Sequence, residues 1–267
     1  MRLFLIAGLA AVLVAGPMRA CEGDLTTVSD VYPSGTELPE NLLRFYIYFS
    51  APMGPGDILP SIDLVDDEGH VIEAVFLPAR FDLWSTDRTR LTLLLDPGRV
   101  KAGLHANLAL GRALVPGETY HLQVSETARD ARGCELAASH RVTFEATKAD
   151  LSPPSPADWE LIPPNVGTRA PLTVALDGSV DHLSLAYRLR VIGPDGAPVP
   201  GRIELDQGET GWLFTPRAPW RDTAYRLAID PMLEDLAGNR PGVLFDQPIG
   251  TPETPWPRVL EWSPAPP

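Results

Sequence analysis

Positive charge is what this chain has least of: 22 lysines and arginines stand against 35 aspartates and glutamates, a formal net charge of −13. A protein so acidic repels phosphate backbones and anionic membrane surfaces, which excludes nucleic acid as a partner. Beyond residue 20 no apolar run is long enough to cross a bilayer. Catalytic signatures are missing too. There is no Gly-x-Ser-x-Gly elbow and no His-Glu-x-x-His run, and His70, His105, His121, His140 and His182 form no i,i+4 metal pair. A nucleophilic serine also needs a base and an orienting acid beside it. The expectation is a protein without catalytic residues, cofactor or metal.

Proline, by contrast, is abundant, with 29 residues. It breaks helix interiors and suits turns and strand edges, so a long-helix fold is excluded. Residues 1–20 read as a secretory signal: Arg2, an apolar run from Leu3 to Ala15, then small residues ending at Ala20. Its removal takes Arg2 and Arg19 with it and leaves the remainder at −15. Cys21 follows directly, and two readings stand. A lipobox would attach lipid to Cys21, with Ala20 fitting that motif and Arg19 fitting it poorly. Ordinary cleavage would leave Cys21 and Cys134 as an even pair able to form a disulfide in an oxidising compartment.

The chain then repeats itself. Tyr120-His121-Leu122-Gln123-Val124 leads to Asp130-Ala131-Arg132-Gly133-Cys134. At an offset of 105, Tyr225-Arg226-Leu227-Ala228-Ile229 leads to Asp235-Leu236-Ala237-Gly238-Asn239. A second register, offset by 127, matches Phe45–Phe49 with Leu172–Leu176 and the turn at 66–69 with that at 193–196.

Each copy carries about seven short alternating strands between turn signals, the pattern of an antiparallel sandwich. Six are placed in each copy: in the first at Leu43–Ser50, at Ile62–Val65 with a returning arm at Val71–Leu77, at Leu91–Leu95, at Tyr120–Val124 and at Arg141–Glu145. In the second they fall at Leu172–Leu176, Leu189–Ile192, Gly201–Leu205, Trp212–Pro216, Tyr225–Ile229 and Val243–Phe245. Tyr120 and Tyr225 sit where a sandwich places a corner tyrosine. Asp130 and Asp235 would accept backbone N–H groups two residues on, and Gly133 and Gly238 would supply the left-handed turn residue.

The domain reading is a signal peptide (1–20), a first domain (21–148) with an insertion (96–118), a Pro-rich semi-rigid linker (149–158), a second domain (159–250) and a Pro-rich tail (251–267). The tail is expected to be irregular, with Trp256, Leu260 and Trp262 pinning part of it to a domain surface.

The second copy, with Leu213-Phe214-Thr215-Pro216, Tyr225-x-Leu227-x-Ile229 and Asp235-Leu236-Ala237-Gly238-Asn239, resembles the bacterial Ig-like module first named from S-layer proteins, the SbsA type. The likeness covers most of residues 160–247. The first copy departs from it, with Cys134 where that family's turn has the Asn found here at Asn239. The resemblance implies an all-β fold of two tandem Ig-like antiparallel β-sandwich domains and an envelope or periplasmic location. It carries no catalytic residues.

The insertion is the candidate binding site, since loops on rigid sandwiches carry function. Asp96, Arg99, Lys101, His105 and Asn107, with Arg112 nearby, could meet an anionic group; alternatively Leu104, Leu108 and Leu110 make it a flap over a sheet edge, with Arg99 and Lys101 in solvent. His121 is expected to face outward on its strand. Asp63, Asp66, Asp67 and Glu68 lack EF-hand spacing and read as a solvated turn. Two function classes follow. One is an exported envelope spacer or scaffold acting on an unknown envelope protein. The other is a polysaccharide- or peptide-binding module that uses 96–118, with membrane contact only through a lipidated Cys21.

Overall fold

The computed structural model describes residues 21, 23–78, 83–100, 111–206, 208–248 and 250–266. Among these are fourteen strands. The first seven are β1 (Val28–Tyr32), β2 (Glu37–Pro39), β3 (Arg44–Phe49), β4 (Ile62–Asp66), β5 (Arg90–Leu94), β6 (Thr119–Val124) and β7 (His140–Thr147). They form two sheets, β1-β3-β5 and β2-β7-β6-β4. The second seven are β8 (Glu160–Ile162), β9 (Leu172–Ala175), β10 (Leu189–Ile192), β11 (Gly201–Leu205), β12 (Gly211–Pro216), β13 (Tyr225–Ile229) and β14 (Val259–Trp262). Their sheets are β11-β12-β9-β8 and β10-β13-β14. In the second sandwich that division is the strand arrangement of a constant-type Ig sandwich; in the first the fourth strand, β2, joins the other sheet instead, beside β7. All named pairs are antiparallel except β2 with β7.

Alternation explains the core. On β3 the inward residues Phe45, Ile47 and Phe49 join Leu64, Leu93, Leu122 and Phe144 in one cluster. In the second sandwich Leu172, Val174, Trp212, Phe214, Leu227 and Ile229 do the same. β3 has a second buried face as well. Tyr46 points away from its own core yet is only 2% exposed. The second sandwich covers it.

Two expectations need correcting. The last strand is not Val243–Phe245, where only a bridge between Arg240 and Val243 forms. It is β14, drawn from the Pro-rich tail and paired with β13 from Tyr225↔Trp262 to Ala228↔Val259. The indole of Trp262 stacks on Tyr225 with centroids 5.2 Å apart and meets Trp220 edge-on at 5.0 Å. Burying that ring outweighs the prolines around it, none of which lies within the strand. Beyond β14, Ala265 bridges Asn165 in parallel, the counterpart of the β2–β7 pairing. Secondly, Val71–Leu77 is not a full hairpin arm; it contributes bridges at Val71 and Phe76 only. A third observation adds to the semi-rigid linker without overturning it: the segment is also tied to both sandwiches. The Asp150 carbonyl accepts from Asn41 and Asn239, and Ser155 N donates to Asp177.

Candidate functional site

Of the insertion residues, Lys101, His105 and Asn107, with Leu104, Leu108 and Leu110, lie outside the described residues. Arg99 is described, and it is buried, not in solvent. Its Nε donates to Gly111 O at 2.7 Å, Nη1 to Glu73 O at 2.8 Å and Nη2 to Arg112 O at 3.2 Å. A guanidinium offers five donors, and here it serves to satisfy carbonyls of an irregular segment that no sheet pairs. His121 also differs from expectation. It is buried, with Nδ1 2.8 Å from Thr143 Oγ1 and Nε2 3.3 Å from Asp67 Oδ1, because the hairpin turn folds over its face of the sheet. At that turn Asp66, Glu68 and His70 could together approach a cation. His70 N and Nδ1 contact Asp66 at 2.7 and 3.0 Å, which is the closure of the turn itself.

The repeated turns share their hydrogen bonding. Tyr120 Oη accepts from Val115 N at 3.0 Å, and Tyr225 Oη from Arg221 N at 3.1 Å. Asp130 Oδ1 accepts from Arg132 N and Cys134 N at 2.8 and 3.0 Å; Asp235 Oδ1 accepts from Ala237 N and Asn239 N at 2.8 and 2.9 Å. Gly133 and Gly238 have φ of 84° and 79°.

Their electrostatics diverge. Burial alone would raise Asp130, but Arg132 and Thr26 bond its carboxylate and hold it below the usual range. In the second copy Ala237 stands where Arg132 does. Burial then pushes Asp235 up to about 7, opposed by the Asn239 amide and reinforced by Asp150. Cys21 and Cys134 form a disulfide with Cα atoms 5.8 Å apart. A sulfur in that bond has no valence left for a lipid thioether.

The largest assembly of functional groups lies between the sandwiches, and sequence reasoning missed it. Three segments of the second sandwich converge there: residues 178–187, 208–210 and 230–239. They dock on the outer face of β1-β3-β5. Asp181 caps the helix His182–Tyr187 through Ser184 N at 2.9 Å and accepts from Tyr46 Oη at 2.8 Å. Arg44 pairs with Glu234 and approaches Asp181. His182 stacks on Tyr32, and its Nε2 lies 3.0 Å from Tyr48 Oη. Glu209, fully buried at a left-handed φ of 54°, accepts from Ser34 N and from Ser34 Oγ at 2.7 Å. Leu236 packs into the core of the first sandwich, and its carbonyl accepts from Leu43 N at 3.0 Å. The one sequence signal was the outward row Arg44, Tyr46, Tyr48 on β3, too aromatic for a solvated face.

Among the described residues, no other segment docks on the corresponding end of the first sandwich. A groove of about 630 Å³ runs between residues 53–61 and 127–133, with Trp84 and Arg129 on its walls.

No protein-family model matches this chain, and no curated protein matches it. Among solved structures it is similar to native alpha-2-macroglobulin from Escherichia coli spanning domains MG0-NIE-MG1, at 13% identity over 78% of this chain and 67% of that one, TM-score 0.30. It is also similar to the S-layer protein rSbsC, at 15% identity over 77% and 24%, TM-score 0.28. Chicken CNTN1 FN1-FN3 domains match at 15% over 90% and 68%, TM-score 0.23. The strand order of the four sheets and the two separate hydrophobic clusters define two tandem Ig-like sandwiches.

Proposed function

We propose that the protein is a non-catalytic exported scaffold whose two Ig-like sandwiches act as one rigid spacer in the cell envelope. The observation that carries this reading is the junction. A buried aromatic face of one sandwich receives Leu236 and the Asp181, Glu209 and Glu234 carboxylates of the other. A buried network of hydrogen bonds and ion pairs holds two bodies in one geometry, whereas a small polar interface lets domains move. Export is supported by the signal-like stretch 1–20 and by the Cys21–Cys134 disulfide, a bond that belongs to oxidising compartments. The turn at Asp235–Asn239 keeps the SbsA-type resemblance as the finer family reading. The alternative, a glycan- or peptide-binding module working through 96–118, finds Arg99 already committed to carbonyls.

Small-angle scattering of the oxidised monomer tests the proposal. The expected profile is that of a single rigid body, loosened when Arg44→Glu sets like charge against Glu234. A wild-type profile that only a flexible two-body ensemble fits would overturn the reading. Intact mass of the secreted protein checks the compartment: two daltons below the reduced chain is expected, and a diacylglycerol-sized increment would count against it.

A further inference from the structure

The two sandwiches present the same loop end to different neighbours. In the second, Val180 bridges Asp235, and Val180 N donates to Glu209 O at 3.0 Å. In the first, Met53 bridges Asp130, and Met53 N donates to Arg88 O at 3.0 Å. Arg88 has a φ of 56° and Glu209 of 54°, so these two side-chain-bearing residues hold the same left-handed turn. The 105-residue register likewise sets Arg129 against Glu234. At two equivalent positions, therefore, the second sandwich carries the acids that grip Ser34 and Arg44, and the first carries arginines.

The faces correspond too. The row that receives the docked loops is Tyr32–Tyr46–Thr92 across β1, β3 and β5. Its counterpart in the second sandwich is Ile162–Thr173–Leu213 across β8, β9 and β12, continued by Glu204 on β11. Ile162 is 51% exposed there, and Glu160, two residues before it on the same face, is exposed as well. One loop end and one face are joined within the chain; among the described residues, one loop end and one face of the same kinds are left over.

We propose that the loop end of the first sandwich docks on the β8-β9-β12-β11 face of a second copy of this chain, giving a head-to-tail assembly. The groove between residues 53–61 and 127–133 seats the Ile162–Leu213 row. Arg129 exchanges its exposed pair with Glu135, and Glu204 its exposed pair with Arg202, for contact with each other, while Arg88, held by Met53 O and Trp84, adds positive charge facing Glu160. The charge pattern is the reverse of that at the internal junction, where the loops are acidic and the face carries Arg44. That reversal directs the arginine-bearing end away from the Tyr32–Tyr46 face and toward the acidic one, a specificity built from repulsion as well as attraction. The loop end is preorganised. Gly54 N donates to Arg129 O, Ala131 N to Pro52 O and Arg88 Nε to Met53 O, while the disulfide ties down Cys134. Because end and face differ, the contact is heterologous and propagates rather than closing on itself.

The inference extends the scaffold reading and rests on the same junction geometry. Sedimentation velocity of the oxidised chain from about 1 µM to about 1 mM, at low and high salt, tests it. Growth with concentration, suppressed by salt, is expected. Arg129→Glu blocks the loop end and Ile162→Arg blocks the face. Each variant alone is expected to stay folded and monomeric, Ile162→Arg with unchanged melting temperature and Arg129→Glu with a lower one because it loses Gly133 O and Glu135. An equimolar mixture is expected to stop at a heterodimer. A wild-type monomer at every concentration, variants that assemble like wild type, or a mixture that stays monomeric would each overturn the proposal. A wild-type monomer that still scatters as one rigid body would do so while leaving the scaffold reading intact.

Discussion

The imidazole of His182 lies against the ring of Tyr32, centroids 3.6 Å apart and planes 19° from parallel, so a residue of the second sandwich is stacked on the outer face of the first. The surrounding groups are Asp30 and Tyr32 from β1, Tyr46 and Tyr48 from β3, and Arg90 from β5. Burial and the Arg90 charge lower its pKa from 6.5 to about 4, with Asp30 opposing. A depressed folded-state pKa contributes stability that is present above 6.5 and is lost as pH falls through about 4. Protection factors at residues 44–48 and 180–187, referred to the intrinsic exchange rate at each pH, are therefore expected to fall as pH drops across that window. In His182→Phe this acid response should be largely absent. An equal response in both proteins would show that another group governs the junction.

Asp130 and Asp235 occupy the same turn and should titrate on opposite sides of their ordinary value. By carboxyl carbon NMR, Asp235 is expected near 7 and Asp130 below 3.8. The sign follows. Asp235, raised, stabilises below 3.8 and loses that contribution as pH climbs through about 7; Asp130, lowered, stabilises above 3.8 and loses it as pH falls. Replacing Arg132 with alanine should move the Asp130 midpoint upward, toward its counterpart.

Gly133 and Gly238 share a left-handed backbone but not a neighbourhood. A Cβ at Gly133 meets open space, whereas one at Gly238 collides with the Leu43 side chain of the other sandwich. Gly133→Ala is expected to cost about 1–2 kcal/mol for the conformation alone. Gly238→Ala should cost more and also loosen the junction. Melting curves with scattering on the same samples check both parts. Equal losses without loosening would mean that Leu43 moves aside freely.

The tail is structural. Deleting residues 251–267 removes β14 and exposes the edge of β13. The second sandwich is expected to lose its cooperative melting transition. Trp262→Ala alone should cost roughly 3–5 kcal/mol, the usual range for truncating a buried tryptophan. A truncated chain that melts like the full one would show β14 to be dispensable.

Much of the architecture was written in short-range pattern. Alternation on β3, β6 and β13 marks the strands because side chains in a strand point alternately to opposite faces. The repeat in Tyr-x-Leu and Asp-x-x-Gly marks equivalent turns because each residue type meets a local backbone demand. What lay beyond pattern were the contacts between distant segments. Nothing near Tyr46 in the chain announces Asp181, and nothing near Leu43 announces Leu236 or Gly238. Arg99 and His121 were misplaced for the same reason, since burial of a polar side chain depends on which carbonyl or hydroxyl the fold brings within about 3 Å. Strand β14 was missed because local proline content speaks against a strand, while the Tyr225–Trp220–Trp262 packing that favours it exists only once the sandwich has closed. Sequence alone thus set the strands, the turns and the acidic charge, all of which follow from each residue's own conformational and ionic preferences. The disulfide, the docked junction and the arginine-bearing end were decided by tertiary structure, because each depends on segments distant in the chain meeting in the fold.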